Sequence, residues 1–338
     1  MPKPLVSLKI TFTMQIIDKL DSIDNGVRNC CLTIGNFDGF HLGHQEIIRS
    51  ARQRAQSLDG CPVAVMTFDP HPAAILYPDQ MPKVLTPLFL KTALLEEAGI
   101  DYLIVVKENY KTLTLSPQDF VENFLVKHIS PRAVIEGDDF RFGYGRSGDV
   151  HTLQQLGKTY GFDVMVVKSR KIIVDKVSTR ISSTMIRHLL HKGDVADAAA
   201  ALGRPYRLMG NVVKGRGKGT QMGYPTANID PHDQIIPVEG VYAGFVSFAD
   251  SLEELVRMDQ KSPAVFSLGR AKTFVTQHPL LIEAHLLDGK VGDLYGKFLA
   301  MDFVDFIRTQ QRFETEEKLK EQIAKDCQKA ENILAKVR

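Results

Sequence analysis

The first half of the chain alternates short, almost unbroken apolar runs with longer segments in which apolar residues recur at helical spacing. Strands buried on both faces carry such runs, so the alternation predicts a parallel sheet with helices on both sides. The predicted strands are residues 31–34, 63–68, 102–106, 133–135 and 163–167. The predicted helices are residues 44–57, 87–98, 117–128, 150–160, 183–191 and 195–202. Thr86-Pro87 and Ser116-Pro117 are typical helix starts, with a hydroxyl at the N-cap and proline at the first helical position.

From Gly203 onward the pattern changes to short apolar runs separated by glycine, proline and aspartate. This pattern predicts a small antiparallel barrel or sandwich. Its predicted strands are residues 206–213, 224–229, 241–248, 264–268, 281–287 and 298–304. A last helix is predicted for residues 316–337, with an apolar stripe formed by Leu319, Ile323, Ala330 and Leu334. The chain therefore divides into an α/β domain at residues 1–202 and a β-rich domain at residues 203–338.

The composition of the 338-residue chain is that of an ordinary globular protein, with 44% apolar and 24% charged residues. The formal net charge is +2, and lysine and arginine are spread along the chain, so no nucleic-acid partner is indicated. Four cysteines without a C-x-x-C pair favour buried thiols over a disulfide or zinc framework. No segment resembles a signal peptide or is apolar enough to cross a bilayer. We expect a cytoplasmic protein without a membrane partner, and a monomer or weak homo-oligomer.

The clearest candidate site follows the first predicted strand, in the run T-I-G-N-F-D-G-F-H-L-G-H of residues 33–44. Gly35 and Gly39 permit a tight turn close to a ligand, and the helix that begins after the turn offers unpaired N–H groups to phosphate. His41 and His44 are three residues apart, so both side chains can donate hydrogen bonds to one phosphate-bearing ligand. A zinc pair is the alternative, but no third ligand stands at suitable spacing.

Two other polar segments accompany this turn. The run T-F-D-P-H-P at residues 67–72 ends the second predicted strand, where ligands collect in open α/β sheets. In I-S-S-T-M-I-R at residues 181–187, Ser183 and Arg187 are four apart and share one face of a helix, where they can hold a triphosphate. Taken singly, the two segments also fit a rigid loop and an ordinary capped helix.

The β-rich half carries a second candidate site around Y-P-T-A-N-I at residues 224–229. The preceding glycines can wrap phosphates or form a mobile hairpin loop, and they are Gly210, Gly215, Gly219 and Gly223. In an extended strand Thr226 and Asn228 share one face, where their oxygens suit Mg²⁺. Glu283 lies in a strand of alternating character, which by itself indicates a solvated carboxylate.

In their order along the chain, these motifs resemble those of the bacterial bifunctional riboflavin kinase/FAD synthetase family. The resemblance also includes G-D-D-F-R-F-G at residues 137–143, E-A-H-L-L-D at residues 283–288 and D-L-Y-G at residues 293–296. It covers about residues 30–335 and implies a Rossmann-like nucleotidyltransferase domain followed by a six-stranded barrel with a C-terminal helix. The implied enzyme phosphorylates riboflavin with ATP to give FMN. It then joins FMN to the AMP part of ATP to give FAD and pyrophosphate, with Mg²⁺ as cofactor.

The resemblance also implies a role for each site residue. His41 and His44 contact the ATP phosphates, and Glu283 is the general base that takes the hydroxyl proton of riboflavin. The other ATP-binding residues are Gly35, Phe37, Asp38, Gly39, Asp139, Ser183, Thr184, Arg187, Gly215, Gly219 and Gly223. The flavin-binding residues are Phe68, Asp69 and His71, and the residues that position Mg²⁺ with ATP are Thr226 and Asn228.

One segment departs from the family pattern, which usually reads S-x-G-x-N-P-T-F-G. Here Ala271, Lys272 and Val275 stand at the Asn, Pro and final Gly positions, so the turn must close differently, which bears on the flavin loop and on kinase efficiency. Three alternatives are an adenylyltransferase with a weakly active, flavin-binding kinase module, a non-catalytic flavin carrier, and a tRNA-ligase-like protein. The complete motif sets argue against the first two. The lack of an RNA-binding extension or basic run disfavours the third.

Overall fold

The computed structural model describes residues 14–19, 23, 25–76, 83–107, 113–215, 218–270, 280–289 and 294–337. These residues group into two units, each with its own hydrophobic core. The first, here called the sheet unit, draws on Met1–Phe37, Gly43–Met81 and Thr92–Ser169. The second, the barrel unit, draws on Asp38–Leu42, Pro82–Lys91 and Arg170–Arg338.

Parallel strands form the centre of the sheet unit. They are β1 (Gln15–Ile17), β2 (Cys31–Ile34), β3 (Val63–Phe68), β4 (Tyr102–Val106), β5 (Ala133–Gly137) and β8 (Asp163–Val167), and a short hairpin adds β6 (Arg141–Phe142) and β7 (Gly148–Asp149). The six-stranded sheet has the order β1-β4-β3-β2-β5-β8. Leu32, Ala64 and Val134 are fully buried, as expected for strands covered on both faces. The predicted strands and their parallel arrangement are confirmed. Within the six-stranded sheet, β1 was not predicted, because its three residues form no apolar run, and the two-residue strands β6 and β7 were not predicted either.

Helices follow most of these strands. They are α1 (Leu42–Ser57), α2 (Pro72–Leu76), α3 (Leu88–Glu97), α4 (Pro117–Asp119), which continues as a π-helix over Phe120–Ile129, and α5 (Val150–Tyr160). The predicted N-cap at Ser116 is confirmed, since its hydroxyl accepts from the Asp119 N–H at 3.1 Å. The helix predicted at residues 117–128 is confirmed, and beyond Asp119 it is a π-helix. There the last turn closes with a Ser130 N–H to Leu125 carbonyl bond of 2.9 Å, five residues back.

The order of the sheet creates a switch point beside β2. The chain runs from β2 to β3 and β4 on one side, and then returns to β5 on the other side of β2. Ligands of open α/β sheets bind at the carboxyl ends of the strands where the order reverses. At this edge the buried Glu136 side chain accepts a hydrogen bond from the Ile34 N–H at 2.6 Å. Burial raises the pKa of the Glu136 carboxyl well above its ordinary value.

The barrel unit contains a closed antiparallel barrel. Its strands are β11 (Tyr206–Val213), β12 (Ala227–Pro231), β13 (Gly240–Ala249), β14 (Ser262–Arg270), β15 (Leu280–Leu286) and β16 (Phe298–Arg308). They close in the order β11-β12-β15-β14-β13-β16 around the fully buried rings of Tyr242, Phe266 and Phe303. The six predicted strands are confirmed, with shifted ends. β12 begins at Ala227 rather than at Tyr224, because Pro225 has no N–H for a strand ladder.

The other elements of the barrel unit precede the barrel strands, connect them or follow them in sequence. They are β9 (Lys171–Val174), β10 (Val177–Arg180), α6 (Ser183–Lys192), α7 (Val195–Leu202), α8 (Lys218–Gln221), α9 (Leu252–Val256) and α10 (Glu316–Leu334). The β9–β10 hairpin was not predicted. Its two-residue turn uses positive φ at Asp175 and Lys176, without the glycine that usually signals such a turn.

The last helix docks on the barrel through its second half. Ala330 and Leu334 are buried in a cluster with Val241 and Val265, which confirms that end of the predicted apolar stripe. Next to this cluster Arg308 donates to the buried Asp326 carboxylate, with an Nη2–Oδ2 distance of 2.7 Å. A charge-assisted bond from the last strand therefore fixes the position of α10.

The core of the barrel unit extends upstream of residue 203. Leu189, Leu190, Val195 and Ala198 on α6 and α7 are fully or almost fully buried in the same cluster as the barrel residues. The domain boundary between residues 202 and 203 stays a prediction. Among the described residues, no helix combines the length and apolarity needed to cross a membrane.

The extension of the core leads to a prediction about fragments. We expect a fragment of residues 170–338 to unfold at a clearly higher temperature than a fragment of residues 199–338. The shorter fragment loses the buried side chains of Leu189, Leu190 and Val195, each of which contributes about 1.5–3 kcal/mol by burial. Circular dichroism melts of both fragments measure the difference. Equal melting temperatures would place the stabilising core entirely downstream of residue 199.

Candidate active sites

In the sheet unit, the glycine turn leaves the carboxyl end of β2. Gly35 continues the sheet by donating its N–H to the Met66 carbonyl at 3.0 Å. Phe37 adopts a positive φ of 47°, and its buried ring packs on the His44 imidazole with a centroid distance of 5.1 Å. A Cβ at Gly35 would lie 3.3 Å from the Phe37 ring. The Phe37 ring therefore packs against both the His44 imidazole and the backbone at Gly35, and it holds the two in place.

The predicted flavin residues follow β3 in the same unit. Phe68 is half-buried against the core, and Asp69 is exposed. The His71 ring lies between the glycine turn and α2, with Nε2 at 2.9 Å from the Asn36 side-chain nitrogen and Nδ1 accepting from the Ala73 N–H at 3.0 Å. The structure thus brings His71 and the glycine turn together. Asn36 was not predicted as a site residue.

Asp139 lies in the loop after β5, the strand next to β2. Its side chain is exposed and folds back over Gly137, where an added Cβ would lie 3.0 Å from Asp139 Oδ1. The neighbouring Asp138 is used within the loop, since its carboxylate accepts from the Ser169 N–H at 3.3 Å and from the Ser169 hydroxyl. Both aspartates are exposed at the end of the central strands.

In the barrel unit, Asp38 holds its surroundings together. Its buried carboxylate accepts from the backbone N–H groups of Leu85 and Thr86, both at 2.9 Å, and forms an ion pair with Arg187. The Ser183 hydroxyl donates to the Asp38 carbonyl at 2.7 Å. The structure thus brings together the predicted ATP residues Asp38, Ser183 and Arg187. The carboxylate of Asp38 is committed to groups of the protein.

The next residue of the turn requires glycine. Gly39 has a φ of +86°, and a Cβ on it would lie 2.9 Å from a methyl group of Leu85. Its N–H donates to the Thr86 hydroxyl at 2.7 Å, and its carbonyl accepts from Arg204 at 2.9 Å. The Thr86 hydroxyl therefore holds this turn, and its role as the N-cap of α3 stays a prediction. Arg204 was also missed, because a sequence pattern does not reveal a contact across 165 positions.

Two predicted ATP residues lie at the start of α1 and α6. His44 is half-buried in the first turn of α1. Thr184 is exposed in the first turn of α6, whose N-cap is Ser182, with the Met185 N–H donating to the Ser182 hydroxyl at 3.2 Å.

The second candidate site lies in the barrel, where β12 pairs with β15. Asn228 stands opposite Glu283 in the antiparallel ladder, and the Thr226 hydroxyl donates to Glu283 Oε1 at 3.3 Å. Ile282 and Ala284 point into the core, whereas Glu283 is half-buried on the other face. The structure therefore brings the predicted base and both predicted metal-positioning residues together. Thr226 reaches this place from the turn before β12 and not from the strand itself.

Two glycines press against this cluster. A Cβ at Gly215 would overlap the Asn228 amide, and a Cβ at Gly219 would overlap the Tyr224 carbonyl and lie 3.2 Å from the Thr226 hydroxyl oxygen. Gly223 has a φ of +86°, which favours glycine. The backbone of this loop can therefore approach a phosphate held at the cluster. Residues 216 and 217, like the departure at Ala271, Lys272 and Val275, lie outside the described residues.

The side chains of the cluster fit a hard cation. Thr226, Asn228 and Glu283 supply oxygen atoms, which Mg²⁺ prefers. Among the described residues, no group of three or more His, Cys, Asp or Glu side chains could hold a metal by itself. A cation bound here would take its remaining ligands from phosphate and water.

Sequence models of two protein families match the chain, FAD synthetase at residues 24–185 and riboflavin kinase at residues 202–334. A bifunctional riboflavin kinase/FMN adenylyltransferase of Escherichia coli (strain K12) is 38% identical over 297 residues, which are 88% of this chain and 90% of that protein. The protein of the same name from Haemophilus influenzae is 36% identical over 321 residues, which are 94% of this chain and 98% of that protein. The chain belongs to the bifunctional riboflavin kinase/FMN adenylyltransferase family.

A solved structure supports the same assignment of fold. A protein from Streptococcus pneumoniae, described as a macrolide-efflux protein, superposes with a TM-score of 0.80 at 26% identity. The superposition covers 94% of this chain and 99% of the other. The predicted family and the predicted fold class are confirmed, and the chain is a transferase with an FAD synthetase module and a riboflavin kinase module. Enzymes of these two kinds generally use a divalent metal.

Within this family assignment, the protonation of His41 is informative. Only 6% of the His41 side chain is exposed, and this burial lowers its pKa from 6.5 to about 4. The Asp38 carboxylate raises the pKa of His41, while Arg204 and Arg180 lower it, and all three effects are smaller than that of burial. His41 is therefore uncharged near neutral pH before substrate binds. In this state the ring carries no positive charge of its own.

The lowered pKa of His41 predicts a specific acid sensitivity. Between pH 6.5 and 4 the unfolded chain binds a proton at this imidazole that the folded chain does not, so stability is complete above pH 6.5 and is lost as the pH falls towards 4. Glutamine does not titrate, so the unfolded His41→Gln variant binds no proton at this position. Its melting temperature should therefore fall less than that of the wild type between pH 7 and pH 4.5. The difference corresponds to at most about 3 kcal/mol.

Calorimetric melts across this pH range make the comparison. The exposed His188 of α6 provides the matched control, since His188→Gln leaves His41 intact and should follow the wild type. Parallel curves for wild type and His41→Gln would contradict the assignment of a buried, uncharged His41.

Proposed function

We propose that the chain makes FAD from riboflavin in two ATP-dependent steps. The riboflavin kinase module transfers the γ-phosphoryl group of ATP to the 5′-hydroxyl of riboflavin, giving FMN and ADP. The FAD synthetase module then joins the FMN phosphate to the AMP part of a second ATP and releases pyrophosphate. The observation that carries the proposal is the presence of both modules, with Thr226, Asn228 and Glu283 assembled in the second.

In the kinase step, Glu283 acts as the general base. An alcohol is a poor nucleophile near neutral pH, so a carboxylate that accepts its proton lowers the barrier. The Thr226 hydroxyl, at 3.3 Å, orients the carboxylate. As the bond between the flavin oxygen and the γ-phosphorus forms, the bond from that phosphorus to the β–γ bridging oxygen breaks, and the proton passes to Glu283. Thr226 and Asn228 would hold Mg²⁺ together with ATP, and the bound ion would supply positive charge against the phosphates.

The adenylyl step needs no comparable base, because the attacking FMN phosphate is already anionic. Positioning and hydrogen-bond donation supply the catalysis. His41 and His44, three positions apart where α1 begins, donate to the ATP phosphates. Gly35, Gly39 and Asp139 contribute their loops to nucleotide binding. The flavin is held by Phe68, Asp69 and His71.

Ser183, Thr184 and Arg187 hold the phosphate tail of ATP in this proposal. The Arg187 Nε–H donates to the Lys83 carbonyl at 3.0 Å, and one Nη group pairs with Asp38. Arginine has five N–H donors, so Arg187 can contact phosphate while it keeps both of these partners. Thr184 offers an exposed hydroxyl one turn earlier on the same helix.

Both family matches favour this bifunctional assignment over an adenylyltransferase with a weakly active kinase module. The choice of Mg²⁺ over other divalent ions belongs to the proposal. The cytoplasmic location and the monomeric or weakly oligomeric state stay predictions.

Product analysis tests the proposal directly. The purified chain is incubated with riboflavin, ATP and Mg²⁺, and riboflavin, FMN and FAD are separated by chromatography. We expect FMN to appear first and FAD to follow, and FAD to form directly when FMN is supplied. Absence of both products would refute the function, while FAD from FMN without FMN from riboflavin would establish the alternative with an inactive kinase module.

A single substitution tests the base. Glu283→Gln keeps the size and hydrogen bonding of the side chain but cannot accept a proton. We expect kinase turnover to fall roughly 100-fold to 10,000-fold, with FAD formation from supplied FMN unchanged. Steady-state assays of the two half-reactions measure both rates.

Glu253→Gln, on the exposed face of α9, is the matched control and should leave both rates unchanged. Near wild-type kinase activity in Glu283→Gln would remove Glu283 from the mechanism and turn attention to His285, on the same face of β15.

A further inference from the structure

Both ring nitrogens of His71 are engaged by neighbouring groups in the sheet unit. The Ala73 N–H donates to Nδ1 at 3.0 Å, so the imidazole caps the first turn of α2. On the other side of the ring, Nε2 lies 2.9 Å from the side-chain nitrogen of Asn36, which belongs to the glycine turn after β2. The Asn36 carbonyl also accepts from the Thr67 hydroxyl at 3.4 Å. The turn after β2 and the loop after β3 are therefore joined through Asn36.

The contact of Nδ1 with the Ala73 N–H and the contact of Nε2 with Asn36 Nδ2 are incompatible in an uncharged imidazole. A backbone N–H can only donate, so Nδ1 must present its lone pair and carries no proton. The proton of the uncharged ring is then on Nε2, which becomes a donor. The Asn36 Nδ2 group also offers only hydrogens. Two donors would face each other across 2.9 Å.

A half-turn of the Asn36 amide removes this conflict. The oxygen and nitrogen of a side-chain amide have nearly the same shape, and their assignment rests on the hydrogen bonds around them. After the half-turn Oδ1 accepts from the Nε2–H of His71. When Nδ2 faces His71 instead, the Asn36 Oδ1 atom is buried and has no hydrogen-bond partner among the described residues. The half-turn thus replaces one unpaired acceptor and one donor–donor contact with a single unpaired amide donor.

We propose that Asn36 is a positioning residue for the adenylyl step, which holds His71 as the uncharged tautomer protonated at Nε2. The proposal rests on the proposed function in taking His71 as a flavin contact. With its two nitrogens bound to Asn36 and Ala73, the His71 ring offers FMN a fixed packing surface and neither accepts nor donates a proton in the reaction. Asn36 thereby fixes the flavin loop relative to the glycine turn of the same unit. Small displacements between reacting groups are costly in rate, so this link affects FMN use.

Nitrogen NMR of the full-length protein tests the tautomer without reference to activity. Histidine is labelled with ¹⁵N, and the His71 signals are assigned by their loss in His71→Asn. We expect Nδ1 without a proton and Nε2 with one at pH 7.5. In Asn36→Asp, which keeps an acceptor oxygen, the same tautomer should persist. A proton on Nδ1, alone or with one on Nε2, would overturn the proposal.

A double-mutant cycle tests the link in the reaction. In His71→Asn the shorter side chain can still accept the Ala73 N–H but no longer reaches Asn36. We expect Asn36→Ala to lower kcat/KM for FMN about 3-fold to 10-fold, the effect of one hydrogen bond. The double variant should be no worse than His71→Asn, because both changes break the same contact. Riboflavin phosphorylation should be unchanged in all three.

Asn123→Ala provides the matched control, since Asn123 is exposed on the π-helix and donates to Asp119, four residues earlier, at 3.3 Å. It should retain the wild-type kcat/KM. If the losses in kcat/KM of the two single variants multiply in the double variant, the two changes act independently and the positioning role is overturned. The same holds if Asn36→Ala keeps the wild-type kcat/KM. If Asn36→Ala does not fold, the NMR experiment on the wild type still decides the tautomer. If the wild type makes no FAD from FMN, the proposed function fails, and the NMR result reports separately on the Asn36–His71 contact.

Discussion

The turn at residues 38–41 of the barrel unit depends on the buried carboxylate of Asp38. A desolvated charge is tolerated in a protein only when it is paired and hydrogen-bonded, and Asp38 has both an Arg187 partner and two backbone N–H donors. Removing one partner of such a pair typically costs about 3–5 kcal/mol. The Asp38 carbonyl is also used, by Ser183. Its neighbours Gly39 and His41 are therefore held in place by electrostatics as much as by the shape of the turn.

The fold could be read largely from the sequence because burial on both faces leaves a clear trace. β2, β3 and β4 each occupy an almost unbroken apolar run, and the barrel strand β15 shows Ile282, Ala284 and Leu286 alternating with the polar residues Glu283 and His285. The features that were not predicted depend on backbone hydrogen bonding and backbone conformation, which the side-chain pattern does not show. The π-helix has the same apolar spacing as an α-helix over so short a segment. The β9–β10 turn uses non-glycine residues at positive φ, so no turn signal marks it.

The kinase cluster could be assembled from the sequence only through its resemblance to a family. Asn228 and Glu283 are opposite each other across a strand pair but far apart along the chain, and nothing in either local pattern indicates the other. The turn after β2 shows the opposite limit. An aspartate among glycines, as at Asp38, is typical of a ligand contact, but this one neutralises Arg187 inside the protein. Burial, which makes His41 uncharged, is likewise not visible in a motif.

Each unit, taken by itself, contains buried titratable groups that are shifted in pKa or paired with an opposite charge, unlike the carboxylate of the kinase cluster at Thr226, Asn228 and Glu283. In the barrel unit, His41 is uncharged and the Asp38 charge is balanced by Arg187. In the sheet unit, burial raises the pKa of Glu136. The kinase cluster instead keeps Glu283 half-buried on the strand face away from the core. The difference follows from the nucleophiles. An alcohol must lose a proton to a carboxylate, whereas a phosphate already carries its charge and needs fixed donors that do not repel one another before it arrives.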